Sequence, residues 1–161
     1  MVTMLAIEDI KAVLELVKDP EIPVLSVEDM GIIRDVRYLD GRLQIVITPT
    51  YSGCPAMDVI EEDISTMLKL HAIDDFDINT ELSPAWTTDW ITADGREKLR
   101  AFGIAPPTGK SKGALLGHDV VGCPQCSSTN TVMVSEFGST ACKAHYKCQE
   151  CLEPFDYFKC V

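Results

Sequence analysis

The chain reads as an α+β domain, a small mixed sheet covered by helices in the order α-β-β-α-β-α, followed by a small cysteine-bound module. Three observations predict this. Apolar residues recur at helical spacing in two segments: Ile7, Ile10, Val13, Leu14 and Val17, then Met57, Ile60, Ile64, Met67 and Leu68. Alternating stretches rich in β-branched residues run from Ile32 to Leu39 and from Leu43 to Thr48, and Phe76, Ile78 and Leu82 alternate further on. Near the end, Cys123-Pro124-Gln125-Cys126 and Cys148-Gln149-Glu150-Cys151 form two Cys-x-x-Cys knuckles.

The elements follow in order. Residues 3–18 are expected to form an amphipathic helix ended by Asp19-Pro20, because proline cannot continue it and restricts the residue before it. Pro20-Glu21-Ile22-Pro23 is then an ordered loop. Asp40-Gly41 between the first two strands is a hairpin turn signal, since both positions of the tight turn need positive φ. Pro55 to Leu70 is the second helix, and the third strand follows it. Asp94 to Phe102 is a short helix with Gly103 as its stop signal. Residues 1–104 are therefore assigned to the α+β domain. Residues 105–117, rich in Pro, Gly, Ser and Lys, are assigned to a linker, and residues 118–161 to the cysteine module.

The two knuckles are separated by 21 residues. Each supplies two thiolates, and together they complete one tetrahedral zinc site, the sequence form of a zinc ribbon. A disulfide pair and an electron-transfer iron site of the rubredoxin type are the alternatives. Cys142 and Cys160 are surplus to four ligands. They are open to use as a second pair, as additional ligands or as packing in a thin core. His145 lies between the knuckles, but four cysteines already fill the zinc shell.

The net charge is −11, from 14 basic and 25 acidic side chains. That excludes nucleic acid as the main partner, because phosphate recognition needs a surplus of Lys and Arg. The first twenty residues lack the basic start and unbroken apolar stretch of a secretory signal, and no run of eighteen apolar residues exists to span a membrane. With seven cysteines, these features point to the cytoplasm and to thiolates rather than disulfides.

Cys54 is the sharpest single residue. In Gly53-Cys54-Pro55, proline fits the first helical position, which puts Cys54 at the cap of the second helix. There unpaired N–H groups and the positive end of the helix dipole favour thiolate, ready for metal or for nucleophilic attack. Asp58, Glu61 and Glu62 oppose this, and a buried structural cysteine is the other reading. Asp19 and Glu21, on a loop stiffened by two prolines, would supply oxygen ligands beside Cys54 if the first strand runs alongside the second. Otherwise they are solvated acids at a helix stop. No histidine lies near Cys54 in sequence to activate it as a hydrolase.

Asp19-Pro20-Glu21-Ile22-Pro23, Asp29-Met30-Gly31-Ile32-Ile33 and Thr50-x-x-x-Cys54-Pro55 resemble the assembly-factor domains of SufT-type proteins and of the cytosolic iron–sulfur targeting machinery. Pro84-Ala85-Trp86-Thr87-Thr88-Asp89-Trp90, Phe137-Gly138-Ser139-Thr140-Ala141-Cys142 and Pro154-Phe155-Asp156-Tyr157-Phe158-Lys159-Cys160 extend the likeness. Over essentially the whole chain it resembles the PaaD-type D components of bacterial phenylacetate degradation. The resemblance implies a cytoplasmic accessory protein that matures the iron–sulfur or di-iron centres of the phenylacetyl-CoA oxygenase (epoxidase) system and is not itself catalytic. It implies Cys54 as the functional cysteine, with Thr50, Asp19 and Glu21 as its neighbours, and iron or an iron–sulfur cluster as transient cargo. Its partners would be the oxygenase subunits, their iron–sulfur reductase and the iron–sulfur assembly machinery. An electron-transfer or structural subunit of the oxygenase is the alternative. A homodimer is compatible with the sequence, which does not set the number of copies.

Overall fold

The computed structural model describes residues 4–108 and 120–159. The chain divides into two compact units, Met1–Trp86 and Thr87–Val161. The first contains α1 (Ile7–Leu14), β1 (Ile33–Leu39), β2 (Arg42–Ile47), α2 (Ala56–Leu70) and β3 (Phe76–Thr80).

Its three-stranded sheet has the order β1-β2-β3. β1 and β2 form an antiparallel hairpin whose turn residues, Asp40 and Gly41, both take positive φ (49° and 82°), the geometry that matches the twist of flanking strands. β2 and β3 run parallel, with α2 as the crossover between them. Being central, β2 buries Leu43, Ile45, Val46 and Ile47 on both faces. Ile10 and Leu14 of α1 and Ile60, Ile64 and Leu68 of α2 are at most 1% exposed. Burial of side chains this size contributes about 1.5–3 kcal/mol each.

α1 is shorter than the expected 3–18. After Leu14 the backbone tightens into i→i+3 bonds, from Leu16 N–H to the Val13 carbonyl and from Val17 N–H to that of Leu14. Lys18 then bridges antiparallel to Ser26. β3 ends at Thr80, short of Leu82, because β2 ends at Ile47, the ladder partner of Thr80. Leu82 is exposed.

The second unit contains a 3₁₀ turn (Thr88–Trp90), α3 (Ala93–Phe102), β4 (Ile104–Ala105), β5 (Thr131–Ser135), β6 (Lys143–Cys148) and β7 (Pro154–Phe158), with sheet order β4-β7-β6-β5. The two units part between Trp86 and Thr87, and β4 adds a parallel strand to β7, which draws Ile104 and Ala105 into the second sheet. α3 starts at the Thr92 cap, whose Oγ1 accepts from Gly95 N–H at 3.0 Å, and stops at Gly103 in the left-handed conformation. The ribbon core is thin: Ala105, Val121, Cys123, Ala144, Cys148, Phe155 and Tyr157, with Tyr146 packed on it. The Tyr146 ring meets Tyr157 edge-on at 5.5 Å. Residues 109–117 of the expected linker lie outside the described residues. No helix among the described residues is long and apolar enough to cross a membrane.

Candidate functional site

The knuckles are built as near copies. In the first, Cys123 N–H donates to the Ser128 carbonyl (2.9 Å). In the second, Cys148 N–H donates to the Glu153 carbonyl (3.0 Å). The residue after each second cysteine, Ser127 and Leu152, takes a left-handed conformation, φ 63° and 66°. That turn costs about 1–2 kcal/mol for a non-glycine residue. It brings the second sulfur of each knuckle back toward the first, and the pairing of Thr131 with Cys148 carries the knuckles to one end of the sheet.

The sulfurs of Cys123, Cys126, Cys148 and Cys151 all lie within 4.8 Å of one another, the only group of three or more such ligand residues among the described residues. Cys123 and Cys151 are 3.6 Å apart at sulfur, as are Cys126 and Cys148. A tetrahedron with zinc–sulfur bonds of about 2.3 Å has sulfur–sulfur edges of about 3.8 Å, so the cage fits a tetrahedral zinc. A disulfide needs about 2.05 Å, so the pairs are not bonded.

The cage is one-sided. Cys123 and Cys148 are buried, and Cys126 and Cys151 are exposed. The N–H groups of Cys151 and then Glu150 hold the Cys148 thiol down at about 7, against the effect of burial. Glu153 N–H pulls the same way on Cys151, but burial and the three neighbouring sulfurs outweigh it and push that thiol up to about 12. Crowded sulfurs that cannot all ionise together are the electrostatic demand that a dication meets.

Cys142 is not part of the cage. It is half-buried at the start of β6, its sulfur 3.0 Å from Thr140 Oγ1. Cys160 lies outside the described residues. His145 stands across from Asp156 in the sheet, its Nδ1 3.4 Å from a carboxylate oxygen that is not a cage ligand.

Cys54 sits where β2 hands over to α2, at the carboxyl end of the parallel pair β2–β3. In open α/β sheets this is the end where ligands bind. The turn that places it is local. Cys54 N–H donates to the Tyr51 carbonyl (3.3 Å), and Gly53 takes φ 79°, the position where such a turn needs a positive φ. The cap of α2 falls on Pro55, one residue later than the sequence suggests, although the Cys54 carbonyl already accepts from Met57 N–H (3.2 Å). Cys54 and Thr50 are half-buried, while Tyr51, Ser52 and Gly53 are exposed.

The same end of the sheet gathers two further segments. Thr48 N–H donates to the Ile32 carbonyl (2.9 Å), which ties the chain just after the Asp29-Met30-Gly31 turn to the end of β2 that leads to the cysteine loop. Trp86 locks that turn, its indole N–H donating to the Met30 carbonyl at 2.8 Å. Ser26 and Asp29 cap the turn reciprocally, each side chain accepting from the other's N–H at 3.0 Å. Sequence reasoning passed over Ser26, although the Ser-x-x-Asp spacing is the signal for such a cap.

Asp19 and Glu21 belong to the proline loop between α1 and β1. One Asp19 oxygen accepts from the N–H groups of both Glu21 and Ile22, at 2.8 Å each, so its carboxylate ties the proline loop. Asp19, Pro20 and Pro23 share an open groove with Asp63, Thr66 and Met67 of α2. Asp63 stands seven residues beyond Ala56, about 10 Å along the helix axis from the cysteine end. Glu21 is exposed.

Residues 7–78 match the family described as iron-sulfur cluster assembly protein, and residues 107–159 match the PaaD zinc beta ribbon domain. A protein from Escherichia coli (strain K12), provisionally named as the D-type subunit of 1,2-phenylacetyl-CoA epoxidase, is 48% identical over 155 residues, covering 96% of this chain and 93% of that protein. The chain belongs to the PaaD family. The first part of this PaaD-family chain is also similar to an Fe-S protein maturation auxiliary factor of Porphyromonas gingivalis, 34% identical over 57% of this chain and 89% of that one. A crystal structure of a domain of unknown function from Bacillus anthracis shares the fold, with a TM-score of 0.53 at 24% identity over 57% of this chain and 89% of that one.

Proposed function

We propose that the chain is a maturation factor for the metal centres of a phenylacetyl-CoA oxygenase (epoxidase) system, with Cys54 as its working residue. The observation that carries this reading is the placement of Cys54. It is a half-exposed cysteine at the ligand-binding end of a parallel strand pair, and it is separate from the four-cysteine cage. A closed cage of four thiolates retains its metal, whereas a single accessible sulfur at a loop can take up iron or a cluster as cargo and release it. Thr50 shares the loop of Cys54 and is half-buried like it. Asp19 serves the proline loop, and Glu21 stays in solvent, so neither is assigned a place on the cargo. Similarity to a maturation auxiliary factor supports the cargo role, and similarity to an epoxidase component supports the choice of client. The ribbon would then recognise the client, with structural zinc in its cage.

The naming of the relative as part of the epoxidase favours a second reading, a permanent component of the oxygenase complex. One experiment separates the two. Iron and acid-labile sulfide are measured in the oxygenase and its reductase, purified from cells carrying the wild-type chain or Cys54→Ser. Clients depleted of iron or sulfide support the maturation role. Fully loaded clients with lost turnover, and the chain present at fixed stoichiometry, establish the permanent component instead.

A further inference from the structure

The two edges of the ribbon sheet are treated differently. β4, at one edge, is two residues long, and both are buried. β5, at the other, has only β6 beside it among the described strands, so its outer backbone edge has no strand partner there. Its sequence, Thr131-Val132-Met133-Val134-Ser135, carries no charge and no proline, although Lys and Pro are the usual means of blocking an edge. Val132, Met133 and Val134 are 46%, 52% and 61% exposed, and Phe137 just beyond is 66% exposed. The one protective device is an irregularity in the pairing with β6 between Met133 and Ser135. It leaves all three apolar side chains in solvent.

We propose that β5 pairs antiparallel with β5 of a second copy of this chain, joining two four-stranded sheets into one of eight strands. The order hydroxyl, valine, methionine, valine, hydroxyl reads the same in both directions. A two-fold axis at Met133 therefore sets Val132 against Val134 of the second copy and Thr131 against its Ser135, as a self-complementary interface requires. Charge selects this face for contact between copies. Residues 87–161 hold 8 basic and 8 acidic side chains, whereas residues 1–86 hold 6 and 17. Two copies thus repel strongly through their first units, at a net −11 each, and only weakly through their ribbons, where a zinc bound by four thiolates leaves a net −2. Phe137, with the Lys159 ammonium 4.7 Å from its ring centre, flanks the strand and extends the contact. This inference stands apart from the role assigned to Cys54.

The test uses the full, zinc-loaded chain in reducing buffer. Sedimentation velocity from about 1 to 200 µM should show a monomer–dimer equilibrium, and Val134→Lys should weaken its dissociation constant by about tenfold or more, since an edge lysine blocks strand pairing. A photoreactive benzophenone side chain in place of Met133 should cross-link to residues 131–135 of a second copy, which decides the matter even if Val134→Lys does not fold. A wild-type chain that stays monomeric throughout would overturn the proposal. So would a dimer that Val134→Lys leaves unchanged, or cross-links that fall outside β5. Cross-links in cells to other proteins alone would assign the edge to a partner's strand and overturn it equally.

Discussion

Cys126→Ser isolates the metal contribution to the ribbon, because Cys126 is exposed and its replacement removes no buried packing. The wild-type cage needs almost no rearrangement, with sulfur pairs at 3.6 Å against the edge of about 3.8 Å that a tetrahedral zinc requires. A structural four-ligand site of this type contributes about 10–16 kcal/mol. Shared over four equal ligands, the loss of one is about 2.5–4 kcal/mol, or two to three decades in affinity. Competition with a chromophoric chelator measures it directly, with metal content per chain as the companion assay. Because two residues of the thin ribbon core, Cys123 and Cys148, are themselves ligands, metal loss should also open residues 120–159 to protease. The helical signal of α1 and α2, whose core contains no ligand, should persist. The paired control is Cys142→Ser, which lies outside the cage and should leave metal content unchanged. Full metal occupancy at unaltered affinity in Cys126→Ser would refute the assignment of this cage as the metal site.

Three further outcomes are expected. Burial raises the Glu28 carboxyl above its ordinary 4.5, against the pull of Lys11, and its Oε1 is buried without a hydrogen bond. A raised carboxyl favours the native state in its protonated form, and that contribution is lost as pH rises through the native value. Glu28→Gln should therefore melt higher than wild type at about pH 7, with the gap closing at about pH 4. Trp86→Phe removes the donor to the Met30 carbonyl and should cost about 1–3 kcal/mol in chemical denaturation, with the turn at Gly31 loosened in hydrogen exchange. Thr92→Ala removes the cap of α3 and should cost about 1 kcal/mol, while Thr92→Ser should restore most of it.

Much of the fold was legible because it depends on local periodicity and turn chemistry. α2 runs from Ala56 to Leu70 with its apolar face as read, and the Asp40-Gly41 hairpin forms at the stated residues. Gly103 stops α3. What was not legible depends on pairing at a distance. β4 is two residues of proline-flanked chain with no periodicity of its own, and only β7, fifty residues later, makes it a strand. The end of β3 was likewise set by where β2 stopped, not by the alternation that continued to Leu82.

The sequence by itself determined the metal chemistry, since two Cys-x-x-Cys knuckles carry their own turn geometry and need only be brought face to face. It also determined that Cys54 stands at the start of α2, because Gly53 and Pro55 set the backbone on either side of it. Tertiary structure alone decided the company Cys54 keeps. Asp19 was drawn into a groove with Asp63, Thr66 and Met67 of α2, and one of its carboxylate oxygens accepts from the backbone N–H groups of Glu21 and Ile22. The Asp29-Met30-Gly31 turn, pinned by Trp86, was tied through Ile32 and Thr48 to the end of β2 that leads to the cysteine loop. The physical reason is that a loop's neighbours follow from strand order and register, which are settled by burial summed over the whole sheet and not by any short stretch of chain.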